Sequence, residues 1–439
     1  MCHFRLLSLK SRSHGSDADP GDADRIPRIN STADLVAQSG AASSTSLPAH
    51  PEGPNIGPGS ENNWFRKDRG LPPKTDLLHK GHNKGGKLLV VMVGLPGRGK
   101  TYISRKVARY LRWINYRTRA FSLARYRIER CGAGLKSEFY DNTDTDNVAT
   151  RLEVMAAALD DIMNYLHNKG EVAILDGTNF TRRRRQMIRN RVAQADGFEI
   201  LWIESICEDP KVLKRNVEEL KESSPDYVDA QDFEQRLDHY KSAYQSVEMD
   251  EGSFVKSYDG GVRIEIHAAQ GFVPTKITSF LMNLHVEGKS VFISRHGESM
   301  FNTKGLIGGN PELSPLGKRY AEVLEDFVEQ SDELSTDELC VWSSTMRRAR
   351  QTAAGIRRKL YVEWRALREI EVGVCDGMTY AQVKESFADE YAAREQDKLR
   401  YRYPRGESYL DIIARLEPVI FEMERQKAPL LIIAHQVQL

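Results

Sequence analysis

A strand that runs straight into a phosphate loop and then a helix constrains this chain more than any other feature. Lys87 to Leu111 reads KLLVVMVGLPGRGKTYISRKVARYL. Leu88 to Val93 is an unbroken apolar run, the pattern of a strand covered on both faces of a parallel sheet. Gly94-Leu95-Pro96-Gly97-Arg98-Gly99-Lys100-Thr101 then satisfies GxxxxGK[ST] in full. The next run puts Ile103, Val107 and Leu111 on one helical face. Glycines let backbone N–H groups converge on phosphate oxygens, and the new helix aims the positive end of its dipole at the same place. Lys100 has the reach for β- and γ-phosphates, and the Thr101 hydroxyl suits Mg²⁺. A glycine-rich turn without a ligand is the plain alternative. The clean strand before it and clean helix after it favour nucleotide binding.

At 439 residues the chain is too long for one ordinary core. Residues 1–86, rich in Ser, Gly, Pro, Ala, Asp and Asn, are expected to be a disordered extension, since they bury too little apolar surface to offset ordering entropy. From Lys87 onward, strands alternate with helices. Strands are expected at Thr118 to Leu123, Glu171 to Asp176 and Glu199 to Ser205. Helices are expected at Val148 to His167, Thr181 to Ala195, Pro210 to Lys221 and Ala230 to Tyr244. This βαβ rhythm belongs to a doubly wound α/β domain, whose ligands sit beyond the carboxyl ends of the strands. In VAILDGTN, Asp176 ends an apolar strand, where a phosphate-loop domain keeps its Mg²⁺-associated carboxylate. The basic run TRRRRQMIRNR begins a helix just after Asp176, so its arginines could grip the phosphate of a small acceptor by bidentate bonds. Arg127 and Arg151 are further candidate phosphate ligands. A solvated basic face is the bland alternative.

A second α/β unit is expected over residues 287–439. Ser290 to Ser294 reads as a strand, and Arg295-His296-Gly297-Glu298-Ser299 follows at once. RHGE after such a strand marks histidine phosphatases. A neutral His296 can attack phosphorus while Arg295 balances charge on the equatorial oxygens. Arg348 lies in VWSSTMRRARQTA, Glu369 in LREIEVGVCDGMTY, and His435 follows the terminal strand LLIIAHQ.

These motifs, in this order, resemble the bifunctional 6-phosphofructo-2-kinase/fructose-2,6-bisphosphatase family. The match runs from about Val90 to the end. It takes in GLPGRGKTYISRK, IESICEDP (Ile203 to Pro210), SSPDY (Ser223 to Tyr227), LMNLHV (Leu281 to Val286), RHGES, IGGN, GVCDGMTY, REQDKLRYRYPRGESY and RLEPVI. The resemblance implies a phosphate-loop kinase over 87–286, followed by a phosphoglycerate-mutase-like histidine phosphatase. It implies that Gly94 to Thr101 hold ATP, with Thr101 and Asp176 on Mg²⁺, Asp176 the principal carboxylate and Cys207 beside it. Asn216 to Lys221 would help contain the nucleotide, with Lys221 near the transferred phosphate. Arg127, Arg151, Thr178, Arg184, Arg236 and Tyr240 would hold fructose 6-phosphate. In the second half His296 would be the nucleophile and Glu369 the acid. Arg295, Asn302, Gly308, Arg348 and His435 would form the phosphate pocket. Tyr380, Arg394, Lys398, Tyr409 and Gln436 would bind the rest of fructose 2,6-bisphosphate. The implied role is control of glycolysis and gluconeogenesis.

Three departures stand out. Ile128 follows Tyr126-Arg127 where the family commonly has a second arginine, and Leu306 stands where a basic residue is usual. The chain also stops at Leu439, shortly after His435, where the family continues. On that ground the second domain is expected to be incomplete and its phosphatase weakened. Two alternatives remain open: another small-molecule or nucleic-acid-end kinase fused to a histidine phosphatase, or a nucleotide-binding regulatory subunit without turnover. With 63 basic and 62 acidic residues, no nucleic-acid or membrane partner is expected. No apolar run reaches about 18 residues, so no transmembrane helix is expected. Cys2, Cys131, Cys207, Cys340 and Cys375 are scattered without metal-ligand spacing, which fits reduced thiols in the cytoplasm. A homodimer is the expected assembly.

Overall fold

Alternating burial along two sets of parallel strands builds two sheets, each with helices on both faces. The computed structural model describes residues 3–7, 86–195, 197–224, 228–284, 289–356, 358 and 360–438. All of these belong to one compact unit.

The first sheet contains β2 (Lys87–Val93), β3 (Thr118–Ser122), β4 (Val172–Asp176), β5 (Phe198–Ile206), β6 (Phe254–Tyr258) and β7 (Arg263–His267). Its strand order is β3-β4-β2-β5-β6-β7, parallel except for the β6–β7 hairpin. The central strand β2 is buried on both sides, and its alternation feeds two cores. Leu88, Val90 and Met92 pack with helices α1 (Lys100–Trp113) and α7 (Phe272–Asn283). Leu89, Val91 and Val93 pack with α3 (Thr145–Asn168) and α4 (Arg182–Val192). Helices α2 (Leu123–Cys131), α5 (Pro210–Ser223) and α6 (Ala230–Ser242) complete this half. Asp144, Thr181, Asp209 and Asp229 cap α3, α4, α5 and α6 through their side chains, which fixes where each helix starts. The expected strands and helices are all present, with ends shifted by a few residues. The hairpin β6–β7 and helices α2 and α7 are additions.

The second sheet has the order β1-β8-β11-β9-β10, parallel throughout. It is built from β1 (His3–Leu7), β8 (Ser290–Arg295), β9 (Cys340–Ser344), β10 (Leu360–Trp364) and β11 (Leu430–Ala434). Helices α8 (Pro315–Gln330) and α9 (Arg347–Ala353) cover one face, and α12 (Tyr409–Arg425) covers the other. Two shorter helices, α10 (Tyr380–Ser386) and α11 (Ala388–Gln396), lie in the long connection before α12. Strand β1 corrects one expectation. His3–Leu7 pairs in register with β8, from His3 opposite Ser290 to Leu7 opposite Ser294, inside the segment read as a disordered extension. The rest of that segment, apart from Gly86, lies outside the described residues.

The two halves meet through α12. Tyr110 of α1 stacks on Phe280 at 4.5 Å between ring centroids and lies 5.8 Å from Phe421. Lys106 pairs with Glu424 at 2.8 Å, and Glu417 accepts from the Tyr110 hydroxyl at 2.5 Å while pairing with Lys276. The helix that starts at the phosphate loop therefore leans on the helix that leads to β11 and His435.

Candidate active sites

In the first site the phosphate loop is held open by backbone conformation. Gly94 has φ 135°, and a Cβ there would lie 2.4 Å from the Ser205 carbonyl oxygen. Gly97 and Gly99 have φ 72° and 76°, the left-handed region that favours glycine. The loop is tied down on three sides. Gly94 N–H donates to the Thr178 carbonyl at 2.9 Å, the Ser205 hydroxyl to the Arg98 carbonyl at 2.5 Å, and the Asn216 amide to the Gly97 carbonyl at 2.9 Å. Lys100 at the first turn of α1 is buried and donates to the Leu95 carbonyl. Burial pulls its pKa down to about 8, opposed by the charge of Asp176. Burial likewise raises Asp176, opposed by a hydrogen bond from Thr101 and by the Lys100 charge. Thr101, Lys100 and Asp176 thus meet at the mouth of the loop.

Beside them is a cationic pocket. The charge of Arg236 also acts to lower the Lys100 pKa. Arg236 lies 3.7 Å from the Tyr140 ring centroid and Arg127 5.8 Å from it. Tyr240 packs against Tyr140 and Phe180 at 5.9 and 4.7 Å. Burial lowers both Arg151 and Arg184, and each feels Tyr240. The Nε atoms of Arg184 and Arg236 are buried without a hydrogen-bond partner, as a site built for an anion would leave them. The basic run splits at this point. Arg184 faces the pocket, whereas neighbouring Arg185 is fully buried and bonds Glu251 at 2.7 Å through Nε and 2.7 Å through Nη2. Arg185 also donates to the Asn179, Gln245 and Ser246 carbonyls, so it is structural. Cys207 sits by Arg98 and Asp259, and burial pushes its thiol up, away from a reactive thiolate. Lys221 is exposed in the last turn of α5, while its neighbours Val217 and Leu220 face Gly97. Tyr140, Ser205 and Asn179 were missed by sequence reasoning. Ser205 and Asn179 lie in motifs already quoted, IESICEDP and VAILDGTN, but Tyr140 carries no local signal.

The second site forms where β8, β9 and β11 end. His296 is buried, with Nδ1 2.7 Å from the Gly297 carbonyl, so Nδ1 carries the proton and Nε2 keeps its lone pair. Arg348 Nε donates to that Nε2 at 3.0 Å and its Nη1 to the Gly309 carbonyl at 3.0 Å. Burial and the nearby Arg348 and Arg295 charges drive the His296 pKa down to about 3, which keeps the imidazole neutral. His435 lies 4.9 Å away, ring to ring, with Nε2 2.8 Å from the Ser344 hydroxyl, and its pKa is lowered for the same reasons. Glu369 is pushed the other way, upward by burial, against the pull of Ile370 N–H, Arg348, Arg295 and Arg415. Burial thus favours a neutral His296 imidazole and a protonated Glu369, and the charges of Arg348 and Arg295 act on both. Gly308 has φ 74°, and a Cβ there would collide with the Asp376 carboxylate, which accepts from Gly309 N–H. Asn302 is exposed and braces the loop by accepting from Ser299 N–H and hydroxyl at 2.9 and 2.8 Å.

A rim lies next to this centre. Arg394 donates to the Tyr403 hydroxyl at 2.9 Å and to the Tyr380 hydroxyl at 3.4 Å, and Tyr409 feels both Arg394 and Glu369. Lys398 is exposed and pairs with Glu395 at 3.4 Å; Gln436 is exposed just past His435. Sequence reasoning missed Ser344, Asp376 and Tyr403. Tyr403 and Asp376 lie in quoted motifs, and Ser344 in the run around Arg348.

Comparison with known proteins places the two halves in known families. A family model described as 6-phosphofructo-2-kinase matches residues 75–288, and one for the histidine phosphatase superfamily, branch 1, matches 291–439. Three relatives are named 6-phosphofructo-2-kinase/fructose-2,6-bisphosphatase. The one from Arabidopsis thaliana is 42% identical over 384 residues, covering 85% of this chain and 50% of its own length. The Gallus gallus protein is 43% identical, covering 79% of this chain and 75% of its own, and form 1 from Homo sapiens is 44% identical, with 79% and 74% covered. The chain thus spans half the length of the plant relative and about three quarters of the other two. With both halves matched in one order and at this identity, the chain belongs to the 6-phosphofructo-2-kinase/fructose-2,6-bisphosphatase family.

Proposed function

We propose that the first site transfers the γ-phosphoryl group of ATP to the 2-hydroxyl of fructose 6-phosphate. The second site then removes that 2-phosphate through a phosphohistidine. The observation that carries the kinase reading is the pair of buried, unpartnered Arg184 and Arg236 Nε atoms in the same half as the phosphate loop, because donor and acceptor phosphates must be held side by side for in-line transfer. Arg127, Arg151, Arg184 and Arg236 offer the 6-phosphate its charge partners. Backbone N–H groups of Gly97 to Thr101 take the nucleotide phosphates, and Lys100 exchanges the Leu95 carbonyl for them.

Thr101 and Asp176 supply two oxygens at the loop mouth, which suits Mg²⁺, an ion that keeps several waters and substrate phosphates among its ligands. Among the described residues no group of three His, Cys, Asp or Glu could hold a metal alone. When held there, the ion would offset the negative charge of the transferring phosphate.

In the second site His296 Nε2 attacks the 2-phosphorus as Arg348 turns from the ring to the phosphate. Glu369 gives its proton to the departing sugar oxygen. Water then attacks the phosphohistidine, and the Glu369 carboxylate accepts the proton released. Tyr380, Arg394, Lys398, Tyr409 and Gln436 hold the remainder of the bisphosphate. We place the enzyme in the cytoplasm as a homodimer acting on small molecules. The balanced charge supports the absence of a nucleic-acid partner.

Asp176→Ala and Lys100→Met test the reading. Each should lose most fructose 6-phosphate-dependent ATP consumption while keeping fructose 2,6-bisphosphate hydrolysis. A near-normal kinase rate in either would refute the assignment.

A further inference from the structure

Glu369 is the acid of the second site, yet its loop has little regular structure to hold it, only the short 3-10 turn Arg365–Leu367 just before. A carboxyl that must deliver a proton to one oxygen needs a fixed backbone. That support comes from α12. Arg415 donates through Nη2 to the Arg368 carbonyl at 2.6 Å and to the Glu369 carbonyl at 3.2 Å, and through Nη1 to the Ala366 carbonyl. The same guanidinium is forked onto Glu407, Nε at 2.9 Å and Nη2 at 3.2 Å. Glu407 in turn accepts from Glu371 N–H at 3.0 Å, and Glu407 N–H donates to the Glu371 carbonyl at 2.8 Å. The backbone is therefore gripped on both sides of Glu369 by one ion pair whose side chains are about four-fifths shielded, at 22% and 19% exposure.

We propose that Arg415, anchored by Glu407, is the positioning residue for the general acid of the phosphatase. It acts through Glu369 and touches neither phosphate nor nucleophile. A lysine could not do this, because only the planar fork spans three carbonyls and a carboxylate at once. Arg415 also contributes charge. The charged and titratable groups acting on Glu369 are Arg348 of α9, Arg295 at the end of β8, and Arg415 and Tyr409 of α12, and the three arginines favour the ionised carboxylate. Removing Arg415 leaves Glu369 harder to ionise as well as less well aimed.

The inference rests on the phosphohistidine reading above, so the test carries a control for it. His296 phosphorylation would be followed in single turnovers of the full chain with fructose 2,6-bisphosphate and with p-nitrophenyl phosphate, whose leaving group departs without a proton. Arg415→Met should slow the sugar substrate by about tenfold to a hundredfold, the range expected when a catalytic group is displaced by an ångström or so. KM should change little and the p-nitrophenyl phosphate rate by no more than about threefold, since the acid's share of the rate is absent there. The alkaline limb of the sugar reaction should move to higher pH in Arg415→Met. In Arg415→Lys, which keeps the charge and loses the fork, the rate should fall with the limb near its original place. An unaltered kinase rate together with the retained p-nitrophenyl phosphate rate shows that both halves of the variants fold. Equal losses on both substrates, or none, in Arg415→Met overturn the proposal if Glu369→Gln discriminates between them. If Glu369→Gln also fails to discriminate, Glu369 is not the acid, and the proposal falls with that reading.

Discussion

Arg184 and Arg185 are neighbours in the sequence with opposite fates, and replacing each by alanine separates a binding contact from a structural one. Arg184 reaches the cationic pocket with Nε unpartnered. Its loss removes one charged hydrogen-bonding group, worth about 1.5–3 kcal/mol, or roughly a tenfold to hundredfold rise in KM for fructose 6-phosphate. KM for ATP should move little, because the phosphate loop is held by Thr178, Ser205 and Asn216 rather than by Arg184. Arg185→Ala strips a buried Glu251 carboxylate of its bidentate partner and three carbonyls of their donor. Breaking such a pair costs about 3–5 kcal/mol. For a domain of this size each kcal/mol lowers Tm by about 2–4 °C, so a fall of roughly 6–20 °C is expected. Steady-state kinetics with each substrate varied, beside thermal unfolding of both variants, gives the comparison. A destabilised Arg184→Ala with an unchanged sugar KM would refute the division of labour.

Other consequences are as direct. Gly94→Ala drives a Cβ into the Ser205 carbonyl at a φ that L-residues avoid, so titration with a fluorescent ATP analogue should show nucleotide binding largely lost; retained binding would contradict the loop geometry. His296 is kept neutral to about pH 3, while the unfolded chain protonates it near pH 6.5. Between those values the unfolded state holds the extra proton, so stability is full above about pH 6.5 and declines as pH falls toward 3. The urea midpoint of His296→Asn relative to the wild type should therefore rise as pH is lowered, and a pH-independent difference would oppose the buried neutral ring. Lys106→Met leaves Glu424 without its partner between the halves and should cost about 3 kcal/mol, largely recovered in Lys106→Met/Glu424→Met; equal losses in both would show that the pair does not hold the interface.

Local features were legible in the sequence, and features made by distant segments were not. The run Leu88 to Thr101 contains its own strand, loop and helix start, and the structure reproduces it. Hairpin β6–β7 escaped notice although Asp259-Gly260-Gly261 marks its turn, because the flanking strands are short and mixed in polarity. Strand β1 escaped because five residues beside a low-complexity stretch are too short a pattern to mark a strand. The TRRRR run shows the limit most clearly. Pattern alone places it at the edge of the expected site, but one helical step of about 100° decides which arginine faces the cationic pocket and which meets Glu251. Arg127, Arg151 and Arg236 could be joined to Arg184 only by family resemblance, and Tyr140, the aromatic hub between them, was not singled out at all. Arg415 is 46 residues from the Glu369 carbonyl it holds, a distance at which no spacing rule operates.

The central claim is that one chain both makes and breaks the same phosphoester at separate centres, and following a single phosphorus atom tests it most directly. The full chain would be incubated with γ-³²P-ATP, Mg²⁺ and fructose 6-phosphate, with sugar phosphates, inorganic phosphate and acid-labile protein label sampled over time. Label should pass to fructose 2,6-bisphosphate, then to His296, then to inorganic phosphate. In His296→Ala it should stop at the bisphosphate. Label reaching His296 without fructose 6-phosphate, or no label entering the sugar, would contradict the account.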